Sequence, residues 1–320
     1  MVSEDRRSTG ERGQLILIGA ITLALLVIGI ALVVNTVLFT ENFQTETTTR
    51  TLEESSSIDA ELQDGVRSTT LRVNHRARNE SGSSIETWVE RNVTRYGELM
   101  SEAQVDANRL TVTVDYDDTE SERGVRIVQT ANGSYEGPTG VSDWEPVTSG
   151  AHAVGWVVLN INASSSADAG TFFLNASNPS AETLSVSINK TGSTTVNVTT
   201  TTSVGPATTA TCDTQGGRLL LNVHTGRSFT DDDCVFTGTR AVGNVSQIHI
   251  ENGDVLAGKY AIVANDSSAV PTTVGDCAST PPTQPCEVPV VWTANVTTTI
   301  TGDGFTYAND HDVAVYQPDA

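Results

Sequence analysis

The sequence has little lysine, few aromatic residues and far fewer basic than acidic side chains. It has 39 acidic residues but only 18 basic ones, and the formal net charge is −21. Only two of the basic residues are lysines, Lys190 and Lys259. Nucleic acids and anionic lipid surfaces are bound through basic patches, so this balance predicts no nucleic-acid partner. Aromatic residues make up 5% of the chain, too few to favour a carbohydrate-stacking module.

Motifs of common enzyme classes are missing as well. The chain has no H-E-x-x-H zinc motif, no G-x-S-x-G nucleophile motif and no C-x-x-C pair. A superficial match to the phosphate-binding loop, G-x-x-x-x-G-K at residues 253–259, is followed by Tyr260 and a strand-like run, where such a loop needs Ser or Thr and the start of a helix. The sequence therefore predicts no catalytic residue and no cofactor, and an enzyme is not expected.

Acidic clusters are the remaining candidates for binding a cation. They comprise Asp115, Asp117 and Asp118, the run 231–233, and the segment 310–312 with His311 at its centre. Carboxylate oxygens suit Ca²⁺, but none of these clusters has the D-x-D-x-D-G spacing of a calcium loop. We interpret 310–312 as a solvated turn, and we predict no metal site.

One long apolar run stands near the start of the chain. Residues 15–39 contain 25 consecutive residues without a charge, which as a helix would span roughly 37 Å, enough to cross a bilayer core. Arg6, Arg7 and Arg12 precede the run. By the positive-inside rule, the N-terminus is then cytoplasmic and residues 40–320 are outside the cell. The run predicts a single transmembrane helix through which the chain contacts the lipid bilayer.

A short motif lies directly before this run. Arg12-Gly13-Gln14 opens the stretch RGQLILIGAITLALLVIGIALVVNTVLFTEN, which resembles the class III signal of archaeal prepilins. This stretch, together with DGVRSTTLRVNHR, IENGDVLAGKY and a composition rich in carboxylate and poor in lysine, resembles an uncharacterised haloarchaeal family of pilin-like, type IV pilin-related proteins anchored at the membrane. The resemblance implies that residues 1–14 contain a leader, that a membrane protease cuts after Gly13, and that Gln14 begins the mature helix.

The chain departs from the bacterial-type pilin pattern at one position. Those pilins carry a glutamate five residues into the mature helix, and Ile18 stands at that place here. The alternative is therefore an uncleaved signal anchor, in which residues 1–14 are a cytoplasmic tail.

Glycosylation acceptor motifs and cysteines both lie beyond the apolar run. Ten asparagines begin an Asn-x-Ser/Thr sequon: Asn79, Asn92, Asn132, Asn162, Asn175, Asn189, Asn197, Asn244, Asn265 and Asn295. The set is typical of an exported, glycosylated surface.

The four cysteines are Cys212, Cys234, Cys277 and Cys286. Their even number and the absence of metal-ligand spacing favour disulfides over zinc. Three pairings exist, and we favour Cys212–Cys234 with Cys277–Cys286 because each would close a local, turn-rich loop.

The spacing of apolar residues differs between two parts of the predicted external region, residues 40–108 and residues 109–320. Residues 40–108 form a helical connector, because apolar residues recur at helical spacing in two patterns, one from Ile58 and one from Ile85. Ser83 and Glu86 suggest a capping box at the start of the second helix. Residues 109–320 instead contain many short alternating segments rich in Thr and Val, which favour strands.

The predicted fold is α+β: a transmembrane helix, a short helical connector, and a mainly antiparallel, sandwich-like β domain outside the cell. The Thr-rich tract 191–211 is either an edge hairpin or an exposed loop, and Asn252-Gly253 is a hairpin turn signal.

These features together predict a single-pass, membrane-anchored surface protein. The expected function is that of a pilin-like structural or adhesive component of the cell envelope, with pilin-like subunits or other envelope proteins as partners. The alternative is a signal-anchored external domain that binds a solute, a cation or a protein.

Overall fold

The computed structural model describes residues 55–78, 81–150, 152–192 and 194–316. The chain divides into two compact units, Met1–Ala60 and Glu61–Ala320. The predicted transmembrane segment and the processing motif lie outside the described residues. Within the part that the structure describes, no helix has the length and the apolar character needed to cross a bilayer.

Two helices precede the strands, as the sequence predicts. Helix α1 covers residues 55–76 and helix α2 covers Gly82–Asn108. The predicted capping box is wrong: the N-cap of α2 is Ser81, whose hydroxyl accepts a hydrogen bond from the backbone N–H of Ser84. Glu86 is not available for capping because it accepts hydrogen bonds from Arg123 on the first strand.

The two helices pack on each other through a glycine. A Cβ atom placed on Gly65 of α1 would overlap the end of the Tyr96 side chain on α2, at its Cζ atom and its hydroxyl oxygen. The Tyr96 hydroxyl also donates a hydrogen bond to the carbonyl oxygen of Glu61 over 3.2 Å. Only glycine allows this close approach, since any larger side chain would have to displace the ring.

Fourteen strands follow in the described part of the chain. They are β1 (Thr111–Ser134), β2 (Trp144–Val147), β3 (Val154–Asn162), β4 (Phe172–Ser177), β5 (Thr183–Lys190), β6 (Thr195–Thr202), β7 (Thr208–Asp213), β8 (Arg218–Asn222), β9 (Arg227–Ser228), β10 (Gln247–Glu251), β11 (Ala257–Ala264), β12 (Gly275–Asp276), β13 (Cys286–Gly302) and β14 (Phe305–Ala314). The first sheet has the order β12-β13-β1-β11-β3-β8-β9, with β14 paired to β13, and the second has the order β2-β10-β4-β5-β6-β7.

All strand pairs are antiparallel except the two-residue contact of β12 with β13. The predicted mainly antiparallel character is thereby confirmed. The Thr-rich tract forms β6 and β7 at the edge of the second sheet, so the hairpin alternative is the right one.

The Asn252-Gly253 hairpin prediction is wrong. The strand before it, β10, pairs with β2 and β4 in the second sheet, whereas the strand after it, β11, pairs with β1 and β3 in the first. The turn therefore carries the chain from one sheet to the other. Asn252 has a φ of 54°, a left-handed conformation that asparagine tolerates better than most residues.

One hydrophobic core is lined by both sheets. Val157, Leu159 and Ile161 of β3 belong to the same buried cluster as Val186 and Ile188 of β5. These residues alternate with more exposed ones along each strand, as expected where one face of a sheet is buried.

Both favoured disulfides form. Cys212 on β7 is bonded to Cys234, and Cys277 is bonded to Cys286 at the start of β13. The predicted pairing is confirmed, and no free cysteine is left. Disulfides persist in oxidising compartments, so the two bonds indicate a domain located outside the cytoplasm.

Candidate functional site

A cavity of about 350 Å³ lies between helix α1 and the first sheet. Its lining includes Arg67 and Leu71 from α1, Trp156 from β3, His224 from the loop after β8, and Tyr316 just after β14. Four sequence-distant segments therefore meet here, and the volume lies at the lower end of the range for small-molecule pockets.

His224 is the most unusual polar group in the lining. It is 7% exposed, its Nδ1 atom lies 3.0 Å from the hydroxyl of Thr239, and its Nε2 atom has no hydrogen-bond partner within the described residues. Burial, and secondarily the charge of Arg240, lowers the pKa of His224 to about 4. The imidazole is therefore neutral at pH 7. If the Thr239 hydroxyl donates to Nδ1, then Nε2 carries the proton, and this atom is itself buried from solvent.

Trp156 and Tyr316 form an aromatic wall of the cavity beside His224, and each contacts a further ring behind it. His75 lies edge-on to Trp156 with 5.6 Å between ring centroids, and Tyr316 stacks on Trp292 at 5.7 Å. Tyr316 and Trp292 are almost fully buried, so this wall is rigid, whereas Trp156 keeps part of its surface exposed. The wall could accept a flat apolar group beside the neutral imidazole.

Helix α1 is held on the first sheet by the amide of Asn74. This side chain is fully buried, donates from Nδ2 to the carbonyl of Val291 over 2.7 Å, and accepts from the Val291 N–H over 3.0 Å. Among the described residues, no strand pairs with this side of β13 between Glu287, paired with β12, and Thr293, paired with β14. The Asn74 amide thus makes the two hydrogen bonds to Val291 that a residue of a neighbouring strand would make, and it fixes α1 on the sheet.

The buried neutral histidine predicts acid sensitivity. Because the pKa of His224 is lower in the folded protein than its ordinary value of about 6.5, protonation favours the unfolded chain, and stability is lost as the pH falls from about 6.5 towards 4. When the pH is lowered from 7 to 4.5, we expect the free energy of unfolding of the unaltered protein to fall by roughly 2 kcal/mol more than that of its His224→Asn variant.

The measurement is the free energy of unfolding of both proteins at the two pH values. Thr225→Ala, at a non-titrating residue of the same cavity, is the matched control and should show the pH dependence of the unaltered protein. Equal losses in the unaltered protein and in His224→Asn would contradict the assignment.

A second, more open depression of about 660 Å³ runs between α2 and the start of β1. Its lining carries carboxylates from both elements, including Glu98, Glu102 and Asp115, around the half-exposed side chain of Val105. Nearby Leu99 is 49% exposed. The depression has an apolar centre and an acidic rim.

The outer face of the second sheet carries a histidine between two carboxylates. His249 Nδ1 lies 3.7 Å from Glu145, and its Nε2 lies 3.7 Å from Glu251. The two carboxylates lie against different nitrogen atoms of the ring, so they cannot share one metal ion with it. Nowhere in the described ranges do three or more His, Cys, Asp or Glu side chains come together in a way that could hold a metal.

The acidic segments singled out in the sequence have structural partners instead. The segment 310–312 lies in β14, which corrects its interpretation as a turn. Asp310 accepts a hydrogen bond from the Thr297 hydroxyl over 2.7 Å, and Asp312 accepts one from Asn295 over 2.8 Å. In the run 231–233, the Asp231 carboxylate accepts from two backbone N–H groups, those of Asp213 and Asp233.

The remaining motif, the glycine-lysine match at 253–259, runs into strand β11 rather than a helix. A phosphate cradle needs the N–H groups at the start of a helix, and this segment does not provide them.

The sequons are spread over the domain, and Asn79 lies outside the described residues. Exposed acceptors are Asn92, Asn132, Asn189 and Asn244, and partly buried ones are Asn162, Asn175, Asn197, Asn265 and Asn295. Three of them, Asn175, Asn189 and Asn197, are on neighbouring strands of the second sheet.

Sequence comparison adds one family match. The model of a family of unknown function, DUF7261, matches residues 9–136, a stretch that contains the apolar run, both described helices and all of β1. No curated protein and no solved structure matches the chain. Since the family has no stated function, the match is neutral on the pilin-like prediction.

Proposed function

We propose that this protein is a single-pass, membrane-anchored cell-surface protein that serves as a pilin-like structural or adhesive component of the envelope. Residues 15–39 hold it in the lipid bilayer, the N-terminus is cytoplasmic, and the β domain is outside the cell. Its partners are pilin-like subunits or other envelope proteins.

The observation that carries this proposal is the combination of the uncharged run with a fully disulfide-bonded domain. Twenty-five residues without a charge follow Arg6, Arg7 and Arg12, an arrangement that directs the following chain across the membrane. All four cysteines beyond the run are paired in two bonds, which suits an oxidising exterior.

A second candidate is supported by the cavity beneath α1. Its aromatic lining residues, Trp156 and Tyr316, and the neutral His224 ring suit a small ligand that has a flat apolar part. In this alternative the protein is a signal-anchored binding domain for a solute or a partner.

The pilin-like proposal predicts cleavage after Gly13. We expect the mature protein extracted from membranes to begin at Gln14, as determined by mass spectrometry of its N-terminal peptide. Gly13→Val should abolish processing because the protease requires a small residue there, whereas the matched control Gly10→Val should be processed normally. A mature chain that still carries Arg12 would exclude the prepilin-type leader and leave a simple anchor.

Location and assembly are tested separately. External protease added to intact cells should degrade the β domain, and the protein should be found in extracellular filaments sheared from the cells. Protection from protease would contradict the proposed topology. Full retention in the membrane fraction, with no protein in sheared filaments, would favour the binding-domain alternative.

A further inference from the structure

The outer face of the second sheet brings three glycosylation sequons together. Asn175 is on β4, Asn189 on β5 and Asn197 on β6, which are adjacent strands in the order β4-β5-β6. Each asparagine neighbours buried residues in its own strand, for example Leu174 and Val196. Because side chains alternate between the two faces of a strand, all three point away from the core.

Two of the three acceptors are direct cross-strand partners. Asn189 pairs with Asn197 in the antiparallel register of β5 and β6. The Cα atoms of such a pair are about 5 Å apart, which is about the width of one sugar ring. Asn175 pairs with Ser185, four residues before Asn189 on β5, and is thus about 13 Å further along the face.

The paired asparagines have amide groups that are available for modification. The Asn197 carbonyl oxygen accepts a hydrogen bond from the Thr211 hydroxyl over 3.1 Å, and no residue of the described chain accepts from its Nδ2. Asn189 is exposed, and its Nδ2 makes only a 3.5 Å contact with the hydroxyl of Thr171. By contrast, the Asn175 Nδ2 donates to Glu251 over 2.8 Å, and attachment of a sugar there would remove this bond.

The surrounding surface can accommodate a sugar. Around the pair, the outer face consists of small hydroxyl side chains, Ser187 on β5, Thr199 on β6, and Thr209 and Thr211 on β7. The nearby Lys190 is held away from the pair by an ion pair with Asp168 over 2.7 Å. The larger outward side chains on this face are diagonal neighbours of the pair rather than its direct partners: Phe173 on β4 pairs with Ser187, and Asp213 on β7 pairs with Thr195.

We propose that this face is glycosylated and that Asn189 and Asn197 are alternative acceptors. Each chain carries a glycan at one of the two asparagines and never at both. The donor is an oligosaccharide linked through phosphate to a membrane lipid. The Asn Nδ2 forms a bond to the anomeric carbon, the bond from that carbon to the phosphate oxygen breaks, and the released lipid phosphate takes the amide proton. A sugar on one asparagine then fills the space needed by a sugar on the other.

The chain offers a direct way to count glycans on single molecules. Cleavage before aspartate yields the peptide 168–212, which contains all three acceptors because the next aspartate is Asp213. After reduction of the disulfide, intact-peptide mass spectrometry of protein from its own cells should show a glycan on Asn189 or Asn197, and never on both. A peptide that carries both, or one in which neither is occupied, would overturn the proposal.

Variants test the competition itself. In Asn189→Gln, the occupancy of Asn197 should rise to the sum of the two occupancies in the unaltered chain. The matched control Asn175→Gln, at the acceptor 13 Å away, should leave both values unchanged. An unchanged Asn197 occupancy in Asn189→Gln would mean that the two sites are independent, which contradicts the proposal.

This inference rests on the external location proposed above. Protease treatment of intact cells distinguishes a wrong glycan assignment from a wrong location. An accessible but unglycosylated domain would overturn only the glycan assignment. A protected domain would overturn the location.

Discussion

Asn74→Ala is expected to destabilise the domain by about 3 kcal/mol. The substitution leaves the N–H and the carbonyl of Val291 buried without partners, and each unsatisfied buried group costs on the order of 1–3 kcal/mol. Alanine has the higher helix propensity, which offsets about 0.5 kcal/mol of this loss. Because Asn74 replaces a missing strand residue on β13, water cannot take over its bonds without entering the interface between α1 and the sheet.

The measurement is thermal unfolding followed by tryptophan fluorescence, since Trp156 and Trp292 lie in the first sheet near α1. Arg72→Ala, at an exposed position of the same helix, is the matched control and should change the unfolding free energy by less than about 0.5 kcal/mol. If the two variants were equally stable, the Asn74 amide could not be holding α1 on the sheet.

The sequence predicts the helices and strands of this fold better than it predicts which strands lie next to each other. Helical spacing and two-residue alternation depend on the burial of one face, so the helices and strands such as β3, β5 and β11 were predictable. The partner of a strand is not encoded locally. The Asn252-Gly253 pair predicts a hairpin because the residues have turn chemistry, and nothing in the turn itself shows that its strands enter different sheets.

Strand β13 illustrates a second limit of prediction from sequence. Pro289 lies within it, and a proline in a run of residues argues against a central strand. It is tolerated because β13 has no strand on one side between Glu287 and Thr293, so the missing N–H leaves no partner unsatisfied there. Two residues after Pro289, at Val291, the same side of β13 is hydrogen-bonded by the Asn74 amide.

The cavity beneath α1 could not be predicted from sequence. Leu71, Trp156, His224 and Tyr316 are far apart in the chain and share no spacing. In the sequence His224 is one of five scattered histidines, because its distinguishing property, an Nε2 atom without a hydrogen-bond partner among the described residues, arises from packing. The sequons and cysteines were predictable because each is a local motif or a small, countable set.

The Cys212–Cys234 bond is expected to contribute about 4 kcal/mol to stability. It joins β7, the edge strand of the second sheet, to the segment beside β9 at the edge of the first, so it closes one side of the shared core. Its ends are 22 residues apart, for which loop-closure entropy gives about 3 kcal/mol. Both sulfurs are fully buried, and replacing them with alanine leaves unfilled core volume at a further cost of about 1 kcal/mol.

We therefore expect Cys212→Ala/Cys234→Ala to lower the Tm by about 10 °C. The matched control is Cys277→Ala/Cys286→Ala, whose bond closes a separation of only 9 residues within one segment and joins no two sheets. Its removal should lower the Tm by roughly half as much, since less chain entropy is restricted and Cys277 is only partly buried. If the control lost as much stability as Cys212→Ala/Cys234→Ala, the link between the sheets would contribute nothing beyond closing a loop.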